Sequence, residues 1–181
     1  AGTHYMQLDF GGEDLTIRSD DGPDTTIVEL DPASAGNIIT MTSSETSVAS
    51  LQGLTFKNAT DWAIYVEGAD PTITDCIFED NQKALHLDDS MSVIQNNVFE
   101  DQLETVDAAA IEITDSAPLI EKNWFRENSS DVLVLNNAQA RIFNNVFVDN
   151  TGIAMRIYAP DESWIINNTS DRNKMGFDLS S

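Results

Sequence analysis

The sequence predicts an all-β fold, a right-handed parallel β-helix in which short strands coil around one long core. Two observations predict it. Segments of similar sequence recur at intervals of roughly 22 residues, and a shorter motif recurs between them. Both contain apolar pieces of strand length with period-two alternation, which are too short for helices. The number of copies predicts about seven coils.

The longer motif aligns into four columns, one of Ile or Leu, one of Phe and two rich in Asn. Stacking the coils in register would place like side chains on one another, so we expect Ile and Phe stacks in the core. We expect the asparagines to form hydrogen-bonded ladders at bends, a structural role rather than a ligand-binding one. The copies are PTITDCIFEDN (71–81), SVIQNNVFEDQ (92–102), PLIEKNWFREN (118–128), ARIFNNVFVDN (140–150) and SWIINNTSDRN (163–173), with a weaker SLQGLTFKNAT (50–60).

The repeats indicate a single domain over residues 1–181. Residues 1–50 are interpreted as the first, irregular coils, and residues 51–181 as the regular repeats. We expect open coils at both ends, because neither end carries a recognisable cap. Such a chain would be part of a longer protein or a unit that stacks end to end through unpaired strands.

The charge balance narrows the classes of partner. The chain has 31 acidic and 9 basic residues, for a net charge of −22. This excludes nucleic acid, whose phosphates require Lys and Arg, and an anionic membrane surface. No apolar run reaches the ~20 residues of a membrane span. The charge is compatible with Ca²⁺, a saline medium or a cationic partner, and the lone Cys76 excludes a disulfide framework.

The shorter motif has the form small–apolar–any–apolar, and its third residue is predicted to point outward. Adjacent coils lie about 4.8 Å apart, so His86 is expected over Glu112. The copies are AIYV (63–66), ALHL (84–87), AIEI (110–113), VLVL (132–135), AMRI (154–157) and GFDL (176–179). The outward column would read Tyr65, His86, Glu112, Val134, Arg156 and Asp178, with Glu67, Asp88, Thr114, Asn136, Tyr158 and Ser180 two residues further on.

Three interpretations of this outward cluster stay open. His86, Glu112 and Arg156 would be catalytic groups for proton transfer beside a uronic acid. Alternatively, the residues form a solvated acidic face with no ligand. The insertion DQLETVD (101–107) would form one side of a cleft above the cluster, or it would be an ordinary loop insertion without a function. In the remaining interpretation Ca²⁺, which takes oxygen ligands, is bound by Asp88, Asp89, Glu112 and Asp115.

An apolar stripe is predicted on a second face. Its exposed side chains would mark a site for a partner or for self-association, or reflect β-propensity alone. Aromatic side chains also stack on sugar rings, which makes Tyr65, Trp124, Tyr158 and Trp164 candidates for ligand binding. The stripe comprises Thr55, Ile77, Val98, Trp124, Val146 and Thr169, with Leu119, Phe143 and Trp164 expected to extend it.

These repeats resemble those of pectate-lyase-like parallel β-helix proteins. The opening, with Gly2, Thr3 and Tyr5, is similar to the first coils of bacterial secreted members. The resemblance implies an extracellular or cell-surface location and covers nearly the whole chain. It does not imply one activity, since the family includes lyases, hydrolases, epimerases and adhesins. The chain lacks their Arg-x-Pro-x-x-Arg, paired-Asp and Asp-Pro-His-Asp patterns.

Three functions follow. The first is a non-catalytic extracellular module that binds glycan, Ca²⁺ or neighbouring copies, motivated by the missing catalytic patterns. The second is a polysaccharide-active enzyme, a Ca²⁺-assisted uronate lyase that uses His86, Glu112, Asp88 and Arg156. The third is a structural filament subunit that stacks head to tail, through open ends that would otherwise meet flanking domains.

Overall fold

The chain forms a parallel β-solenoid, which confirms the predicted fold class. The computed structural model describes residues 1–103, 109–158 and 162–180. Three parallel sheets of eight, eight and seven strands run along the solenoid, and a 3₁₀ turn at Pro23–Thr25 interrupts the first coils. In the described part of the chain, no helix has the length and apolar composition that crossing a bilayer requires.

Each of seven coils contributes one strand to each sheet, and two further strands, in sheets 1 and 2, belong to an eighth coil. Sheet 1 contains β1 (Gly2–Tyr5), β4 (Thr26–Glu29), β7 (Thr55–Lys57), β10 (Ile77–Glu79), β13 (Val98–Glu100), β16 (Trp124–Arg126), β19 (Val146–Val148) and β22 (Thr169–Asp171). Sheet 2 contains β2 (Leu8–Asp9), β5 (Ile39–Met41), β8 (Trp62–Glu67), β11 (Lys83–Asp88), β14 (Ala109–Thr114), β17 (Asp131–Asn136), β20 (Ile153–Tyr158) and β23 (Met175–Ser180). Sheet 3 contains β3 (Thr16–Arg18), β6 (Ser50–Gln52), β9 (Thr72–Thr74), β12 (Val93–Gln95), β15 (Leu119–Glu121), β18 (Arg141–Phe143) and β21 (Trp164–Ile166).

The core consists of stacked columns of like residues, as the repeats predict. The most regular is a phenylalanine stack in sheet 1, whose successive ring centroids lie 4.7 to 5.3 Å apart. Close, offset packing of this kind is favourable beyond the area that it buries. Each of its rings is almost completely buried, and its members are Phe56, Phe78, Phe99, Phe125 and Phe147.

The predicted asparagine ladders are present at two bends. Each side-chain amide donates to a backbone carbonyl of the preceding coil, and most of the side-chain oxygens accept a backbone N–H there. Most buried polar groups of the bends are thereby satisfied, with Gln102 Oε1 as an exception. The first asparagine ladder is Asn97, Asn123, Asn145 and Asn168, between sheets 3 and 1; the second is Asn81, Gln102, Asn128, Asn150 and Asn173, after sheet 1.

The turns use the left-handed backbone region at repeated positions, one column of residues for each corner of the coil. Asn and Asp adopt this region more readily than other residues with a Cβ, which explains their abundance at the turns. The column that follows sheet 2 is Gly68, Asp89, Asp115 and Asn137, and the column that follows sheet 1 is Asn58, Asp80, Asp101, Glu127, Asp149 and Arg172. Seven of the 31 Asp and Glu residues adopt this region, so part of the acidic composition serves the geometry of the turns.

Candidate functional site

The outer face of sheet 2 carries the chemistry-bearing column that the sequence predicts. The strand register places His86 between Tyr65 and Glu112, and Arg156 between Val134 and Asp178. The neighbouring column follows the predicted order as well, with Asp88 paired to Glu67 on one side and to Thr114 on the other. Of the insertion at 101–107, residues 104–107 lie outside the described part of the chain.

His86 is enclosed by aromatic rings. Its imidazole stacks on Tyr65, with centroids 4.6 Å apart and planes 12° apart, and lies 5.1 Å from the Trp62 ring at a tilt of 44°. The Lys83 ammonium lies 4.5 Å from the centre of the same indole, a cation–π contact. Sequence analysis missed Trp62 and Lys83, although each directly precedes the shorter motif in adjacent coils, which the register pairs.

The carboxylate of Glu112 lies beside His86, as the register predicts. The His86 Nδ1 and Glu112 Oε2 atoms are 3.9 Å apart, too far for a hydrogen bond, and Nδ1 is buried without a hydrogen-bond partner. Burial lowers the pKa of His86, although the negative charge of Glu112 opposes this shift. The ring is consequently neutral at pH 7. The other Glu112 oxygen accepts a long hydrogen bond, 3.5 Å, from the Asn136 amide.

Tyr65 is oriented by a carboxylate rather than by His86. Its hydroxyl donates to Glu67 at 3.0 Å. Burial, followed by this hydrogen bond, raises the pKa of Tyr65. The phenol therefore stays protonated over the physiological range. Because its ring stacks on His86, one ring face is covered, which makes Tyr65 a weaker sugar-stacking candidate than the sequence suggests.

Arg156 belongs to a separate cluster. Its guanidinium lies 3.0 Å from Asp131 and 3.6 Å from Asp178, and it donates to the Tyr158 hydroxyl at 3.1 Å. The hydrogen bond to Tyr158 and the two carboxylates raise the pKa of Arg156. Val134 occupies the coil between Glu112 and Arg156. The structure thus brings His86 and Glu112 together but leaves Arg156 engaged elsewhere.

The four predicted Ca²⁺ ligands do not converge. Asp88 ends a strand of sheet 2, whereas Asp89 and Asp115 occupy the turn after it, with φ of 46° and 48°. The Asp115 carboxylate accepts a hydrogen bond from the Asn137 amide. Within residues 1–103, 109–158 and 162–180, no three His, Cys, Asp or Glu side chains are grouped so that they could hold a metal ion. The described carboxylates do not fit a preformed Ca²⁺ site, and binding by Asp88, Asp89, Glu112 and Asp115 stays a prediction.

Three of the four aromatic ligand-binding candidates are strongly exposed. Trp124 is 50% exposed, Tyr158 is 38% and Trp164 is 61%. They lie on different faces, because Trp124 belongs to sheet 1, Tyr158 to sheet 2 and Trp164 to sheet 3. Exposure of such large apolar rings carries a cost in water that an interaction partner would remove.

The predicted apolar stripe is divided between two sheets. Leu119 and Phe143 lie with Trp164 in sheet 3, so they do not extend the column of Trp124 in sheet 1 as expected. The turn between the sheets, which the sequence pattern does not locate, separates the two surfaces. Thr55, expected to point outward, is buried, because the Pro23–Thr25 turn packs on its strand; its hydroxyl donates to the backbone oxygen of Pro23.

The comparison with protein families agrees with this geometry. A family model described as a right handed beta helix region matches residues 62–181, well over half of the chain. Comparisons with curated proteins and with solved structures gave no match. A shared fold does not define a ligand or a reaction. By its repeats, its three parallel sheets and this match, the chain belongs to the right-handed β-helix family.

Proposed function

We propose that the chain is a non-catalytic module that binds polysaccharide through exposed aromatic side chains. The observation that carries this proposal is Trp124, half exposed in the middle of a regular sheet. Ligand sites combine aromatic surface with a few placed polar groups, and a pyranose offers an apolar face and a rim of hydroxyls to such a surface. Trp164 and Tyr158 add two further exposed rings.

The arrangement on sheet 2 favours binding over catalysis. A uronate lyase needs a cation beside its base to neutralise the substrate carboxylate. Arg156, the cation that the sequence suggests, contacts two carboxylates and a phenol and is separated from Glu112 by Val134. Lys83, which lies nearer to His86, is paired with Asp61 at 3.4 Å.

We place this function outside the cell or on its surface. The basis is the resemblance to secreted β-helix proteins together with the net charge of −22. A strongly acidic surface is well tolerated in saline media. Dissolved salt there screens the repulsion between carboxylates that are more than a few ångströms to about 10 Å apart.

Affinity electrophoresis tests the proposal. Wild-type protein run through gels that contain neutral or anionic polysaccharides is expected to be retarded by at least one of them. The double variant Trp124→Ala/Trp164→Ala is expected to lose this retardation. Met91→Ala is the matched control, because Met91 is 65% exposed and lies between β11 and β12, outside the sheets. Absence of retardation of the wild type by every polysaccharide would contradict the proposal.

A second candidate is uronate lyase activity, and one observation favours it. The His86 imidazole lies beside Glu112, and its lowered pKa favours the neutral form that a general base requires. Incubation with pectin and alginate, with and without Ca²⁺, would then increase the ultraviolet absorbance of unsaturated uronate, and His86→Ala would abolish the increase. A flat absorbance trace with folded wild-type protein eliminates this candidate.

A further inference from the structure

Building on the proposed function, we infer that Trp124 and the adjacent Arg126–Glu100 pair form a subsite for a single uncharged pyranose ring. Both parts lie on the outer face of sheet 1. Trp124 and Arg126 are the first and third residues of β16, and Glu100 is the register partner of Arg126 in β13. Residues two apart in a strand share a face, about 6.6 Å apart.

The indole is a preformed platform. Its register neighbours are Val98 on one side and Val146 on the other, both half-buried. Valine side chains are too short to cover an indole ring. Elsewhere in this sheet aromatic rings are covered by one another, as Phe125 is by Phe99 and Phe147. Trp124 therefore has no aromatic neighbour in register. Half of its surface stays exposed to water.

The ion pair supplies polar groups at the edge of this platform. The Arg126 guanidinium contacts Glu100 Oε2 through Nε and through a terminal nitrogen, each at 2.5 Å. The Glu100 side chain is only 15% exposed, which fixes the geometry of the pair, whereas Arg126 is 47% exposed. Arginine has five N–H donors, so Arg126 can also donate to a ligand. A ring stacked on Trp124 would bring its hydroxyls to these donors and to Glu100.

The charge of the subsite selects the ligand class. Arg126 and Glu100 neutralise each other, so the pair offers no unpaired cation to a uronate or a sulfated sugar stacked on Trp124. The net charge of −22 opposes the approach of any polyanion. An ammonium-bearing sugar finds no free carboxylate on the platform either, because Glu100 is paired. The remaining class is an uncharged pyranose, bound one ring at a time.

The test uses the full chain with dextran, hydroxyethyl cellulose and galactomannan as neutral probes and pectin as the anionic probe. Retardation in polysaccharide gels and quenching of tryptophan fluorescence report binding. Trp124→Ala is expected to weaken binding to the preferred neutral polymer about tenfold or more, whereas Trp124→Phe retains most of it. Arg126→Ala is expected to weaken binding by a smaller factor, and Met91→Ala to leave it unchanged. Circular dichroism checks that each variant is folded.

The outcomes separate the two proposals. If Trp124→Ala binds like the wild type while Trp164→Ala or Tyr158→Ala does not, the subsite inference is overturned and the proposed function survives. If the wild type prefers pectin to every neutral polymer, the ligand class is overturned. If the wild type binds none of the four polymers, both the subsite and the proposed function are overturned.

Discussion

Asn145 lies inside the first asparagine ladder, where its side chain satisfies buried groups of two coils. Its Oδ1 accepts from the Asn123 backbone N–H at 2.9 Å, and its Nδ2 donates to the Ile120 carbonyl at 2.9 Å. The same amide is hydrogen-bonded to its ladder neighbours Asn123 and Asn168. Asn145 is 1% exposed, so water cannot replace these bonds. The substitution Asn145→Ala therefore leaves a backbone donor and a backbone acceptor buried without partners.

The magnitude follows from those two groups. An unsatisfied buried polar group costs about 1–3 kcal/mol, so Asn145→Ala is expected to lower the free energy of unfolding by about 4 kcal/mol. For a domain of this size, that loss of stability lowers the melting temperature by about 8–16 °C. Urea denaturation followed by far-ultraviolet circular dichroism measures the change.

The matched control is Asn136→Ala. Asn136 is a half-buried asparagine on the outer face of sheet 2, and its amide makes one long hydrogen bond to Glu112. We expect this variant to change the free energy of unfolding by less than about 0.5 kcal/mol. A loss below about 1 kcal/mol for Asn145→Ala, or equal losses for both variants, would refute the assignment of the ladder as a structural network.

Three further predictions follow. In the second asparagine ladder the buried Gln102 Oε1 has no partner, so Gln102→Asn is expected to complete the ladder and raise the free energy of unfolding by about 1 kcal/mol, measured in urea; a loss would contradict this. Burial raises the pKa of the Cys76 thiol to about 12, so alkylation by iodoacetamide is expected only after denaturation; rapid labelling of the folded chain would be inconsistent with this environment. The pKa of His86 is lower in the folded chain than the unfolded value of about 6.5, so its contribution to stability is complete above that pH and declines as the pH falls below it. His86→Gln should reduce the loss of stability between pH 7.5 and pH 5, and an unchanged pH profile would show that this titration does not contribute.

The repeats make much of the fold predictable. A column such as Phe78, Phe99 and Phe125 places each strand in the coil and also sets its register, because like residues stack on like. The outward column at His86 and Glu112 follows from the same register. Period-two alternation then separates the core face from the outer face along each strand.

The repeats do not predict where a corner divides neighbouring strands into different sheets. Trp124 and Leu119 both lie outward in one copy of the longer motif, yet the left-handed turn at Lys122 puts them on different sheets. Lys122 and Glu127 adopt the left-handed region although their residue types do not favour it, so the neighbouring coils impose the turn.

The sequence pattern also does not predict which side chains contact each other within the site. Arg156 pairs with Asp131, which precedes the shorter motif and was not singled out. Trp62 encloses His86 from a similar position. Each of these two residues is the first residue of its strand in sheet 2, one position before the shorter motif begins.

The most direct test of the proposed function combines binding and turnover in one sample. Wild-type protein is run into a gel that contains a neutral polysaccharide, and the polymer recovered from the same gel is sized by chromatography. The account predicts retarded protein and a polymer of unchanged chain length. Unretarded protein in every polysaccharide, or a shortened polymer, would contradict the conclusion that this β-helix is a non-catalytic glycan-binding module.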